Sequence, residues 1–271
     1  MGADWLADVG RLARAIRVRV LDATIANNGA YLCQACCSAE ILATLHVRVM
    51  NRTRGDLFVL SPAHYCLALW ALLAEIGELS DEEFDTYNRD GSALEMIGSE
   101  HAPGLLFTTG SLSQGLSQAI GLQLARRAHQ RPGRVFVYLS DGELQEGQTW
   151  EAVMSAAHFG LGELNVVIDM NGSQVDGDPA EIMAIEPVMA KLCAFGLEAV
   201  EIDGHDPRAI AAALAAAGGE RPRAVACRTR MWEGIPSLEA RANHHFVRFR
   251  AGEAEAALAD LGLSGEAVGR S

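Results

Sequence analysis

The segment Ser140-Asp141-Gly142-Glu143-Leu144-Gln145-Glu146-Gly147 follows an apolar run of strand length, Arg134 to Leu139, and precedes a helical pattern that begins at Gln148. In open α/β sheets, ligands bind just beyond the carboxyl ends of strands, where backbone N–H groups and a helix N-terminus face an anion. The segment therefore suits a phosphate. Gly142 beside Asp141 lets the backbone approach a ligand closely while the carboxylate takes a hard cation. The next apolar run, Leu164 to Asp169, leads into Met170-Asn171-Gly172-Ser173, which puts Asn171 30 residues after Asp141. That interval is one βαβ crossover. It sets a carboxylate oxygen and an amide oxygen at adjacent strand ends, a donor pair suited to Mg²⁺ on a diphosphate. Singly, Asp-Gly and Asn-Gly are ordinary turn signals. Together, at crossover spacing and each behind a strand, they mark a site.

Holding these loops side by side takes a parallel sheet. Strand-length runs at Arg134 to Leu139, Leu164 to Asp169, Leu197 to Ile202 and Ala224 to Arg228 alternate with helical patterns at Ser113 to Gln130, Gln148 to Phe159, Ile182 to Phe195 and Pro207 to Ala217. This alternation predicts an α/β fold of three layers, α/β/α, with a mostly parallel sheet. Before it, helical patterns at Trp5 to Ala26 and Ser38 to Val49, a short strand Phe58 to Leu60 and a helix His64 to Ile76 predict additional helical layers over the sheet. Gly218-Gly219-Glu220 with Pro222 ends a helix before the last strand, and Glu253 to Leu261 reads as a terminal helix. The expected organisation is one domain over residues 1–271: helical layers and first strand in 1–104, sheet core in 105–250, C-terminal helix and tail in 251–271. The sequence shows no internal repeat, low-complexity tract or interdomain linker.

Bulk properties narrow the partners. A chain of 271 residues that is 49% hydrophobic can bury one substantial core. A formal charge of −13, with the two signs interspersed, argues against nucleic acid and anionic membrane as targets. No stretch approaches the roughly 18 apolar residues of a spanning helix, so a cytoplasmic protein is expected. Six cysteines in a chain of this size make no disulfide framework. Cys33-x2-Cys36-Cys37 lacks the second pair of ligands a structural zinc needs, and reads as small buried thiols.

Asp-Gly followed one crossover later by Asn resembles the thiamine diphosphate fingerprint, and Asp141 to Gly147 resembles its transketolase form, with Ser140 in place of a leading Gly. The resemblance extends over nearly the whole chain, through Ser38-Ala39-Glu40-Ile41-Leu42, Leu60-Ser61 with His64, Thr109-Gly110-Ser111-Leu112 with Gln114-Gly115-Leu116, and Asp203-Gly204-His205-Asp206. It implies the diphosphate-binding (PP) domain of the transketolase family. It implies Asp141, Asn171 and the Ser173 carbonyl as ligands of Mg²⁺ (or Ca²⁺), with Gly142 and Glu143 against the diphosphate. Gly110, Ser111 and Leu112 would lie near the aminopyrimidine, and His64 and His245 near the reacting carbon. His101 would be a further active-site histidine. Glu146 resembles a glutamate at the subunit interface. Each of these histidines, taken alone, is more often a satisfied polar group than a catalyst, and Glu146 alone is a carboxylate favoured by a helix N-terminus.

One departure bears on substrate. Where a typical transketolase has Gly-His, this sequence has Ala30-Tyr31, and a phenol with an ordinary pKa of about 10 cannot take up and release a proton near neutrality as imidazole does. An unusual donor or acceptor, in specialised metabolism, is the expectation for Tyr31. The family's chemistry is transfer of a two-carbon ketol unit from a ketose or 2-oxo substrate. The glutamate that activates the cofactor comes from a pyrimidine-binding domain. The chain is therefore expected to work with a second subunit carrying the pyrimidine-binding and C-terminal domains, as an α2β2 heterotetramer. The alternatives are the α chain of a 2-oxoacid dehydrogenase and a non-catalytic scaffold of the same fold.

Overall fold

The computed structural model describes residues 5–215 and 219–263. Its centre is a five-stranded, wholly parallel sheet of β1 (Leu57–Leu60), β2 (Val135–Ser140), β3 (Leu164–Met170), β4 (Glu198–Asp203) and β5 (Arg223–Arg228), in the order β1-β2-β3-β5-β4. Side chains alternate between the two faces of a strand, and in β1, β2, β3 and β5 both faces are largely buried, whereas the edge strand β4 exposes Glu201 and Asp203. Phe58, Leu60, Phe136, Tyr138, Val167, Val225 and Cys227 belong to one core. Val59, Val135, Val137, Leu139, Val166, Ile168, Ala224 and Ala226 belong to the other.

The first core is covered by α1 (Trp5–Ala26), α2 (Leu32–Thr44), α3 (Cys66–Glu75) and α9 (Pro207–Ala215). The second is covered by α5 (Gln114–Ala128), α6 (Gly147–His158) and α8 (Val188–Ala194). Two short helices, α4 (Asp81–Phe84) and α7 (Pro179–Ile182), and a last helix, α10 (Glu253–Asp260), complete the chain. The three-layer α/β/α expectation holds, and the early helices do pack over the sheet, on one face of it. Among the described residues no helix is long and apolar enough to cross a membrane.

Three expected elements differ. The helix expected from Ser38 begins at Leu32 and widens into a π-helical turn at Leu45–Val49, so Cys33, Cys36 and Cys37 sit within it, fully buried. The helix expected over Ile182 to Phe195 is two, α7 and α8, because Pro187 has no N–H to donate and restricts the residue before it. The helix expected from Ser113 starts at Gln114, since Ser113 lies in the left-handed region at φ +69°. The stretch 216–218, including the expected end of the helix after Pro207 and Gly218, lies outside the described residues.

A buried charge network ties the helical layer to the β4–α9 turn. Arg17 on α1 makes two bonds to Glu40 on α2 (2.7 and 2.6 Å), and Glu40 Oε2 lies 3.1 Å from His205 Nδ1. The other ring nitrogen of His205 accepts from the Arg230 N–H (2.9 Å). Burial pushes the Glu40 carboxyl up, but His205 and Arg17 outweigh it and hold the group down to about 2.

Candidate functional site

Register brings the carboxyl ends of β1, β2 and β3 level, with Leu60 opposite Tyr138 and Ser140 opposite Asp169. The loops that follow them form the site. Asp141 opens a short 3₁₀ turn after β2 and Asn171 follows β3 directly. The Gly172 N–H donates to Asp141 Oδ2 at 2.7 Å, so positions 141 and 171 converge as their spacing predicts. Asp141 is almost fully buried, and its second oxygen, Oδ1, has no partner. Burial, reinforced by the neighbouring Asp169 carboxylate, pushes the Asp141 carboxyl up to about 7 against the pull of three backbone N–H groups.

A buried carboxylate oxygen with no donor is costly unless a cation meets it. Asn171 Oδ1 accepts from the Ser173 N–H (2.9 Å), which leaves it acceptor capacity, while its Nδ2 points inward to Tyr65 OH (2.9 Å) and Asp169 Oδ2 (3.1 Å). Asp141 Oδ1 and Asn171 Oδ1, which keep acceptor capacity, are both hard oxygens. Among the described residues no three His, Cys, Asp or Glu side chains gather around a metal. The donor set is the mixed oxygen one that Mg²⁺ or Ca²⁺ takes with a phosphate ligand, and the residues present fit such a group.

Glu143 turns away from the place the fingerprint suggests. Its carboxylate is fully buried and accepts from Ser61 Oγ, from the Ser113 N–H (2.8 Å) and from the Ser140 N–H (2.8 Å). It pins the ends of β1 and β2 and the loop before α5 to one another. Burial pushes its carboxyl up, and the serine donors pull it back. Ser113, held by Glu143 in the left-handed conformation, also donates to Glu143 O (3.1 Å) and contacts Thr149 Oγ1 (2.5 Å). The Gly110-Ser111-Leu112 loop is aimed from this anchor, with Ser111 exposed and Leu112 half-buried. Gly115 faces Ser61 so closely that a Cβ would sit 2.5 Å from Ser61 Cβ. Gly142 is half-buried, and Glu146 is exposed at the N-cap of α6, with no capping bond from its side chain.

Beside these loops three rings from distant parts of the sequence meet. Tyr31 lies 5.2 Å from His64 and 5.4 Å from His245, and the two imidazoles are 5.1 Å apart. A single antiparallel bridge between Ala30 and Val247 draws the late segment in, with bonds of 3.1 and 3.0 Å. The Gln34 amide adds a bond to His245 O (3.0 Å). Gly29 permits it: at φ +137°, a Cβ there would meet Phe246 Cε1 at 2.8 Å. Burial and His245 push the His64 imidazole down to about 3, burial lowers His245, and burial raises the Tyr31 phenol. All three are neutral near pH 7. His101 is exposed and, among the described residues, joins none of these ring contacts.

Reading the sequence as loops and motifs misses what stands behind the site. Asp169, fully buried at the end of β3, accepts from Tyr65 OH (2.8 Å), Cys37 Sγ (3.0 Å), Asn171 Nδ2 (3.1 Å) and Thr229 Oγ1. The signal was present as a carboxylate near the end of a mostly apolar strand-length run. Burial pushes the Cys33, Cys36 and Cys37 thiols up, Cys36 to about 12, so they are protonated wall groups.

Residues 10–268 match the family described as transketolase, thiamine diphosphate binding domain. An uncharacterized transketolase family protein of Sinorhizobium fredii is 38% identical over 249 residues, 87% of this chain and 88% of that protein. An apulose-4-phosphate transketolase subunit of Actinobacillus succinogenes is 32% identical over 82% of this chain and 84% of its own. The 6-deoxy-6-sulfo-D-fructose transketolase subunit of a Clostridium species is 34% identical, over 83% and 86%. Among solved structures, a Pichia stipitis transketolase in complex with sedoheptulose 7-phosphate superposes with a TM-score of 0.85 at 28% identity, over 95% of this chain. The chain spans 41% of that enzyme's length.

Proposed function

Because this chain belongs to the transketolase family, as a thiamine diphosphate-binding domain, we propose that it is the diphosphate-holding subunit of a two-component transferase that moves a two-carbon ketol unit between carbonyl substrates. The observation that carries the reading is the unpartnered, buried Oδ1 of Asp141, whose other oxygen accepts from the N–H of Gly172, the residue after Asn171. Two relatives of matching length are themselves named as transketolase subunits, which supports a division of the enzyme into two chains. The partner would carry the pyrimidine-binding and C-terminal domains and the activating glutamate, in an α2β2 assembly in the cytoplasm.

Thiamine diphosphate supplies, when bound, the carbanion that adds to a carbonyl and the sink that stores the electron pair on C–C cleavage. Asp141, Asn171 and the Ser173 carbonyl would hold Mg²⁺ on the diphosphate, and Gly142 would allow the backbone to approach it. Glu143 acts from behind, fixing the loop that presents Gly110, Ser111 and Leu112 to the aminopyrimidine. His64 and His245 would face the reacting carbon, where neutral imidazoles orient substrate hydroxyls by donating and accepting without adding charge. Tyr31 would extend that surface with a neutral phenol, which suits a donor or acceptor unlike ordinary pentose phosphates. Glu146, exposed at the N-cap of α6, would face the neighbouring subunit, and His101 would lie at the rim.

Calorimetry on the chain mixed with the partner encoded beside it checks this directly. Mg²⁺-dependent thiamine diphosphate binding and ketol transfer are expected, and absence of binding refutes the reading. Decarboxylation of simple 2-oxo acids without ketol transfer would favour a 2-oxoacid dehydrogenase subunit.

A further inference from the structure

The Asp169 side chain is fully buried. Its four bonded partners, Tyr65 OH, Cys37 Sγ, Asn171 Nδ2 and Thr229 Oγ1, are all donors, and Ser140 and Cys227 lie opposite it on the neighbouring strands. Among the described residues no Lys, Arg or His is paired with it. Buried side-chain oxygens need such donors, and here the same bonds serve a neighbour.

What benefits is the amide of Asn171. Nδ2 donates both to Asp169 Oδ2 (3.1 Å) and to Tyr65 OH (2.9 Å), and Tyr65 in turn donates to the same Asp169 oxygen (2.8 Å). Both amide hydrogens are therefore spent inward. A flipped amide would set its carbonyl oxygen against a carboxylate oxygen, so Oδ1 can face only outward, beside Asp141. Cys37, one helix layer away, completes the cradle from α2 with a bond of 3.0 Å.

Resting on the cation site proposed above, we infer that Asp169 and Tyr65 are positioning residues for it: they lock Asn171 with its oxygen toward the metal. Partners standing behind metal ligands typically govern affinity by about 10–100-fold. The two act unequally. Asp169 accepts directly from Asn171 and also holds Tyr65 in place, whereas Tyr65 adds only its own bond.

The test titrates Mn²⁺ into the full chain with its partner subunit and thiamine diphosphate, reading free Mn²⁺ by electron paramagnetic resonance, alongside thermal melting. Asp169→Asn should weaken Mn²⁺ binding at least tenfold, and Tyr65→Phe by a smaller factor of several-fold. Thr229→Val takes a donor from the other oxygen of Asp169 and leaves both Asn171 bonds, so it should lower the melting temperature as Tyr65→Phe does but change affinity less than twofold. If the parent protein binds no Mn²⁺ with the cofactor, the cation site itself fails and this inference with it. If the parent binds and Tyr65→Phe matches it within twofold, the site stands and the positioning role is overturned. Tyr65→Phe decides the matter even where Asp169→Asn does not fold.

Discussion

Asp141→Asn should stabilise the cofactor-free chain above neutral pH while abolishing its response to Mg²⁺ and thiamine diphosphate. The carboxyl is held at about 7 against an ordinary 3.8, a disadvantage to its ionised form of roughly 4 kcal/mol. An asparagine removes that burden and keeps an oxygen for the Gly172 N–H. Its NH₂ then occupies the place of the unpartnered Oδ1, which costs about 1–3 kcal/mol. The net gain is on the order of 1–3 kcal/mol, or roughly 2–8 °C in melting temperature. The sign with pH follows from the raised value. The protonated Asp141 of the parent is no burden below the ordinary carboxyl range, and the parent loses stability as pH rises toward and through about 7. Melting curves at pH 4 and pH 8 therefore should show the variant below its parent in acid, by the cost of its unpartnered amide, and above it in base. Adding Mg²⁺ and cofactor with the partner subunit should reverse the order, because ligand at a hundred times its Kd stabilises the parent by about 2.7 kcal/mol. A variant no more stable than its parent at pH 8, with the same pH dependence, would refute the assignment of Asp141 as a buried anion awaiting a cation.

Removal of the Glu143 carboxylate by Glu143→Ala strands the buried N–H groups of Ser113 and Ser140. At about 1–3 kcal/mol for each such group, urea denaturation should show a loss of several kcal/mol. Ser113→Ala keeps the left-handed strain and loses the hydroxyl bonds, whereas Ser113→Gly loses the bonds and relieves strain of about 1–2 kcal/mol. The melting order should run parent or Gly first and Ala last. His64, lowered to about 3 by burial and His245, stays unprotonated in the fold while the unfolded chain takes up a proton near 6.5. The stability it contributes is present above 6.5 and lost as pH falls from there toward 3, so His64→Gln should flatten the acid side of a melting-temperature profile.

The pair at 141 and 171 was legible because both residues follow strands, and the length of one crossover forces consecutive parallel strands to bring their ends together. The same regularity made the layers readable, since fully buried parallel strands are nearly continuous apolar runs. Helix boundaries at 32 and 182 were harder, because they turn on a single backbone conformation or a missing N–H that apolar spacing does not encode.

What the sequence by itself determined, then, is the local chemistry: which loops carry oxygen donors, and that a parallel sheet aligns them. Tertiary structure alone decided the rest. Tyr31, His64 and His245 meet where the bridge between Ala30 and Val247 and the Gln34 bond to His245 O tie the late segment to the early helices. Glu143 faces inward because three serines from separate elements offer it donors. Asp169 became visible as a partner of Asn171 only once α2, β3 and β5 were packed around it. Side-chain direction in a buried polar cluster is set by which donors arrive from elsewhere, and periodicity along one segment carries no record of them.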